Sequence, residues 1–167
     1  MSSFPPTTDL CDANEPLFES GELHVLAPGL LGFGARERFC GTARTLKLFE
    51  DNSVLAQAVR EPGDGQVLVV DAGGSTRCAV LGGNLARSAA DNGWAGVVVY
   101  GAVRDIEEID GCAIGVRALA VTPRRSVKRG EGQRDLVVTA CGALVRPGDW
   151  IYADRDGVLV SSRRLHE

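Results

Sequence analysis

The stretch GGNLARSAADNGWAGVVVYGAVRD, residues 82–105, decides the fold. It reads as a glycine turn, a short helix, a buried strand and an Arg-Asp pair just past the strand's end. A helix entered through a glycine turn leaves its first N–H groups without partners, and its dipole adds positive potential there, so such a terminus favours anions. Arg104, at the end of the following strand, presents a planar pair of donors that suits a carboxylate. Asp105 beside it offers a hard oxygen to a Mg²⁺-like ion. Gly82, Gly83, Asn84, Leu85, Arg104 and Asp105 thus form a candidate site for a small 2-oxo acid rather than a nucleotide. From spacing alone, a surface ion pair or a helix cap is the favoured reading of Arg104 and Asp105. Gly82 and Gly83 likewise suit a plain strand–helix turn, with Asn84 as the N-cap.

Outward from this unit, apolar periods and turn residues alternate. Thr8 or Asp9 is expected to cap a first helix running through Leu10, Ala13 and Leu17. Residues 27–38 are glycine-rich and read as irregular. Residues 42–49 (TARTLKLF) alternate as a half-buried strand. Asp51 or Asn52 then caps an amphipathic helix over 53–60, which Glu61-Pro62-Gly63 stops. Residues 66–71 (QVLVVD) are apolar and β-branched and predict a core strand. Asp71-Ala-Gly-Gly-Ser75 follows it, either as a tight turn ordered by Asp71 or as a phosphate or carboxylate turn. A short strand over 77–81 leads into the glycine turn.

Beyond Asp105, residues Glu107, Glu108 and Asp110 read as a solvated helical turn. Residues 115–122, 135–139, 150–154 and 158–161 supply further strands. The last two flank Arg155-Asp156-Gly157, a tight hairpin because Asp-Gly accepts positive φ. Many short strands with about three helices make the fold class α/β or α+β, not a simple βαβ alternation. The 21 glycines generate chance matches: Gly32-Phe-Gly34 starts like a dinucleotide fingerprint, but Glu37 holds the third glycine position. No P-loop pattern is present.

A chain of 167 residues predicts a single domain spanning 1–167, large enough to bury a real core. The net charge of −4 argues against direct nucleic-acid binding, and Arg124, Arg125, Lys128 and Arg129 read as a solvated loop. Five scattered cysteines without a CxxC pair, beside two histidines, predict reduced thiols in a cytoplasmic protein and no zinc site. The apolar run 97–100 is far shorter than the ~20 residues a spanning helix needs, so no membrane segment is expected. No Ser-His-Asp set is credible, because His24 and His166 lie near opposite ends of the chain and His166 is expected to fray. Trp94 and Tyr100 read as packing residues, and Asp154 and Asp156 as residues that shape the hairpin.

The blocks LGGNLARSAADNGWAGVVVYGAVRD, LFEDNSVL (48–55), VLVVDAGGSTRCAVLGG (67–83), IGVRALAVTPRRSVKRGEG (114–132) and PGDWIYADRDGVLVS (147–161) together resemble the RraA-like family. That family joins regulators of ribonuclease E activity to class II 4-hydroxy-4-methyl-2-oxoglutarate aldolases. The resemblance runs from about residue 8 to 161. It implies a swivelling β/β/α fold, similar to phosphohistidine domains, assembled as a ring-shaped homotrimer with sites between subunits. It also implies a divalent metal, Mg²⁺ or Mn²⁺, and a small 2-oxo acid substrate, with ribonuclease E as the partner of the regulator branch.

The aldolase branch carries Asp, twenty residues, then Arg-Asp. Arg104 and Asp105 match the second half, which implies that Arg104 binds the substrate carboxylate and keto oxygen and Asp105 anchors the metal. Gly82-Gly83-Asn84-Leu85 matches the substrate-binding turn. The first Asp is replaced by Gly83, a departure that bears on proton transfer more than on metal or substrate binding. An aspartate at 83 is then expected to raise aldol cleavage, positive φ at Gly83 being the main steric obstacle. Asp105 separates the chain from regulators that keep the arginine and lack the following aspartate. The resemblance therefore implies a metal-dependent lyase that also decarboxylates oxaloacetate, because both reactions pass through pyruvate enolate. Lys47 and Lys128 are the only lysines, and no Schiff base is required.

Overall fold

The structure, a computed structural model, describes residues 3–167. In chain order its elements are α1 (Thr7–Ala13), α2 (Pro16–Ser20), β1 (Leu23–Val25), β2 (Leu31–Phe33), β3 (Phe39–Lys47), α3 (Ser53–Ala58), β4 (Val67–Asp71), β5 (Ala79–Leu81) and α4 (Gly83–Asp91). There follow β6 (Gly96–Val103), α5 (Ile106–Asp110), β7 (Gly115–Val121), β8 (Gln133–Arg134), β9 (Val138–Ala140), β10 (Ala143–Val145), β11 (Trp150–Ala153) and β12 (Val158–Ser161). The fold is mixed α/β. Its main sheet runs β1-β12-β11-β3-β4-β6-β7-β2, with β5 on β6 and β8 on β3.

The centre β3-β4-β6-β7 is parallel and the flanks are antiparallel. Strand β3 carries the transition: Phe39–Thr42 pair with β11, and Ala43–Lys47 pair with β4. Alternation along the parallel strands sorts side chains to two faces. Leu68, Val70, Val97, Val99 and Val116 join α3, α4 and α5 in one core, while Val67, Val69 and Val98 meet β9, β10, β11 and β12 in another. Both faces of β4 are covered, which is why residues 67–70 are an unbroken apolar run. Each such side chain contributes roughly 1.5–3 kcal/mol by leaving water. Trp94 is fully buried and donates its indole N–H to the Glu61 carbonyl, as a packing residue should.

Several local expectations are corrected. The first helix breaks in two at Asn14-Glu15, because Pro16 starts a new helix at its first turn, where its missing N–H costs nothing. Neither Thr8 nor Asp9 caps it; the cap position is Pro6. The irregular stretch 27–38 contains the edge strand β2, paired with β7. Of the strand expected at 135–139 only residues 138–139 are extended, in β9; residues 135–137 link β8 to β9, and Asp135 takes φ 58°. The β9–β10 hairpin was not anticipated at all. The hairpin at 154–157 closes without positive φ at Asp156 or Gly157, so the Asp-Gly pair is not used as a primed turn.

That hairpin is held by its acid instead. The buried Asp154 accepts the Thr7 N–H, the Thr7 hydroxyl and the Asp156 N–H, tying α1 to the end of β11. Burial alone would raise its pKa, but these hydrogen bonds outweigh it and hold the carboxyl below its ordinary value. A depressed carboxyl contributes stability that is complete above the unfolded pKa of ~3.9 and is lost as pH falls through the folded value. Asp154→Ala is expected to cost about 2–4 kcal/mol at pH 7, since it strands three donors. The gap between wild type and variant in urea unfolding should shrink at pH 3.

The carboxyl-terminal end is also held. His166 packs edge-on against Trp150 and Tyr152, and its Nδ1 shares a 2.9 Å hydrogen bond with the Tyr152 hydroxyl. The same hydroxyl accepts the Leu165 N–H, so the expected fraying does not occur. None of the five cysteines forms a disulfide. No helix among the described residues is long and apolar enough to cross a membrane.

Candidate active site

Strand β6 and helix α4 bring the predicted site together. Strand β5 ends at Leu81, whose carbonyl accepts the Arg104 N–H at 3.0 Å, so the residue after β6 lies beside the turn into α4. Gly82 caps α4 in an extended conformation (φ −127°), not Asn84, which sits inside the first turn. The Gly82 carbonyl accepts the Ala86 N–H. Among the described residues, the N–H groups of Asn84 and Leu85 find no acceptor. They are the open donors that the sequence predicted.

Asp105 adopts the left-handed conformation (φ 59°, ψ 48°) as the cap residue of α5. Aspartate tolerates this region better than most residues, yet it still costs of order 1 kcal/mol. The turn directs the Asp105 carboxylate back to α4, where Oδ2 accepts the Gly83 N–H at 3.2 Å. Arg104 Nε stands 3.7 Å from the same oxygen, a loose ion pair with both side chains about two-fifths exposed (37% and 41%). Such a pair contributes little to stability. The guanidinium makes no hydrogen bond to protein among the described residues, and neither does Asp105 Oδ1. A group held in a sparsely populated backbone state, with its donors and acceptors left open, is suited to a ligand rather than to the fold.

Close packing, not φ, explains the glycines. Neither Gly82 nor Gly83 has positive φ. A Cβ on Gly82 would stand 2.7 Å from Asp105 Oδ2, and one on Gly83 would overlap the Glu108 side chain, 2.6 Å from its Cβ and 2.8 Å from its Cδ. The steric obstacle expected at Gly83 is therefore present but differs in kind: it is Glu108 of α5. An aspartate added at 83 in the otherwise unchanged chain would collide with a carboxylate, so the expected gain from that single substitution is withdrawn.

Glu108 is the residue that sequence reading placed only on a solvated face. Its exposure is as predicted, as is that of Glu107 and Asp110. The signal for more was its place three residues after Asp105, the spacing of a capping box in which the glutamate reaches back to the cap N–H. No side-chain cap bond forms here, and the Glu108 side chain lies over Gly83 instead. Asp110 accepts the Gly34 N–H. Asp71 orders its own turn through the Gly73 N–H, as the structural reading of that segment held.

A cleft of about 630 Å³ is lined by Glu37, Asp110, Arg117, Asp154 and Asp156 among others and lies apart from the Arg104–Asp105 turn. Its buried Arg117 was not singled out from sequence. The guanidinium donates to the carbonyls of Val116, Glu37 and Asp154 and covers the Phe39 ring, so it pins strands rather than facing a ligand.

Comparison with known proteins decides the family. The RraA-like profile, described as Aldolase/RraA, matches residues 7–160. The chain belongs to the RraA-like family. Over 161 residues, 96% of this chain and 98% of the relative, it is 56% identical to a Cupriavidus necator protein named "Putative 4-hydroxy-4-methyl-2-oxoglutarate aldolase". It is also similar to a solved Thermus thermophilis protein described as the RNA-processing inhibitor RraA, with TM-score 0.89, 47% identity, and 96% and 94% of the two chains covered. A Geobacillus kaustophilus structure described as an S-adenosylmethionine:2-dimethylmenaquinone methyltransferase matches with TM-score 0.90 and 40% identity over 96% and 97% of the chains. RraA-like proteins thus carry several functional names on one scaffold, and the choice among them rests on the site.

Proposed function

We propose that this RraA-like protein is a divalent-metal-dependent lyase that cleaves 4-hydroxy-4-methyl-2-oxoglutarate to pyruvate and decarboxylates oxaloacetate. The observation that carries the reading is Asp105, held in a left-handed turn beside Arg104 at the open N-terminus of α4. The donor set fits a hard cation. Among the described residues no three acidic, histidine or cysteine side chains cluster to cage an ion. Mg²⁺ commonly needs no cage, since it keeps several waters and is held by one or two carboxylates and the substrate. Asp105, with Oδ1 open, would hold Mg²⁺ or Mn²⁺, which supplies Lewis acidity toward the keto oxygen.

The chain's own groups do the rest. Arg104 grips the carboxylate next to the keto group through parallel hydrogen bonds and fixes the C3–C4 bond relative to the turn. The Asn84 and Leu85 N–H groups and Arg104 stabilise negative charge as it develops on the keto oxygen. Breaking C3–C4 sends its electron pair into the C2–C3 bond and leaves pyruvate enolate. Loss of CO₂ from oxaloacetate gives the same enolate, so one site serves both reactions.

We further propose that the protein works as a homotrimer, with a small 2-oxo acid as ligand and a neighbouring copy walling the half-exposed site. Val121 supports this: it is paired with Val103 next to Arg104 and is 47% exposed, one of several exposed apolar residues that suit subunit contact. The second reading, a regulator that binds ribonuclease E, draws on the exposed acidic side chains of Asp105, Glu107, Glu108 and Asp110, which suit a basic partner segment.

Purified protein is expected to release pyruvate from oxaloacetate with Mg²⁺ and to stop when a chelator is added, and to scatter light as three chains. Chelator-insensitive rates at the uncatalysed level would leave only the binding reading.

A further inference from the structure

The retro-aldol reaction makes a demand that decarboxylation does not: something must take the proton from the C4 hydroxyl as C3–C4 breaks. Neither named residue is free for it. Arg104 is a permanent cation, and Asp105 carries the metal in the reading above while accepting the Gly83 N–H. The unassigned carboxylate at this end of α4 is Glu108. Its side chain rests on the Cα of Gly83, in the space a Cβ there would fill, while Asp105 occupies the corresponding space at Gly82. The two carboxylates therefore stand side by side along the first turn of α4, at about the spacing of adjacent side chains. Glu108 makes no side-chain hydrogen bond among the described residues and does not serve as a cap.

We infer that Glu108 is the general base of aldol cleavage, delivered by α5 to the place where Gly83 carries no side chain. The inference rests on the lyase reading given above and deepens it. In the step, a Glu108 oxygen takes the C4 hydroxyl proton and the O–H electrons become the second C4–O bond. The C3–C4 electrons move to C2–C3 and the keto oxygen takes the charge. One pyruvate departs. Protonated Glu108 then returns its proton to C3 of the enolate and gives the second pyruvate, so protons and electrons balance. Gly83 is part of the same device: any side chain there would displace the Glu108 carboxylate.

The test compares Glu108→Gln, Glu108→Ala and the double variant Gly83→Asp/Glu108→Ala with wild type, each checked for native circular dichroism. Aldol cleavage and oxaloacetate decarboxylation are measured with Mg²⁺, and Mn²⁺ affinity is followed separately by electron paramagnetic resonance. General-base help is worth about 10²–10⁴-fold. Glu108→Gln should therefore lower kcat for aldol cleavage by about 10²-fold or more, with KM and Mn²⁺ affinity changed by less than about threefold and decarboxylation by less than about tenfold. The double variant, which moves the carboxylate to the neighbouring helix after removing the collision, should regain most of the aldol rate.

Equal loss of both reactions, a change confined to KM or to Mn²⁺ affinity, or no change at all in Glu108→Gln would overturn the assignment. Wild-type protein that binds Mn²⁺ but performs neither reaction would instead refute the lyase reading on which it stands. If the double variant does not fold, Glu108→Gln alone decides.

Discussion

Asp105→Ala is expected to abolish metal-dependent oxaloacetate decarboxylation and aldol cleavage together. The reason is specific to the geometry: Asp105 is the carboxylate whose backbone is bent into the left-handed region to face the start of α4, and its Oδ1 has no protein partner among the described residues. The stability cost should be small. Alanine at φ 59° costs of order 1 kcal/mol, and one 3.2 Å hydrogen bond to Gly83 is lost. Asp105→Asn separates the two effects, because asparagine tolerates the same conformation and keeps an oxygen for Gly83 while losing the charge. Both variants should unfold near the wild-type midpoint, bind Mn²⁺ far more weakly and turn over at the uncatalysed rate. Full decarboxylation by either would remove Asp105 as the metal anchor.

Arg104→Lys is the second large effect. Among the described residues the Arg104 side chain meets a polar protein group only in the loose 3.7 Å pair with Asp105, so its fork of donors is available to a ligand. Lysine keeps the charge but concentrates it on one ammonium, without the paired planar donors that match a carboxylate. Loss of that pairing should cost on the order of 2–5 kcal/mol, or roughly 30- to several-thousand-fold in kcat/KM, for both substrates. The variant should fold normally, since the residue is part-exposed and its backbone N–H, not its side chain, joins β5. Near-normal kinetics would mean that Arg104 acts only as diffuse charge.

The site was legible where chemistry follows the chain. A glycine turn into a helix and an Arg-Asp pair past a buried strand are contiguous signals, and the parallel pairing of β5 with β6 joins their ends in space. The misread elements share a different cause. Asp135 at φ 58°, the edge strand β2 and the β9–β10 hairpin rest on tertiary pairing rather than on local pattern. The hairpin of β11 and β12 was correctly placed but for another reason: Asp154 organises it by accepting N–H groups from its own turn and from Thr7.

By itself the sequence determined the mixed α/β character, the buried parallel strands and the identity of Arg104 and Asp105, because apolar period, turn residues and side-chain chemistry are local properties. Only the tertiary structure decided what Gly83 means. In the sequence it is a missing carboxylate. In the fold it is the clearance that lets Glu108, 25 residues later, lay its own carboxylate against α4. No periodicity reports that distance, because it is fixed by how α5 packs on the start of α4 after β6 has returned the chain.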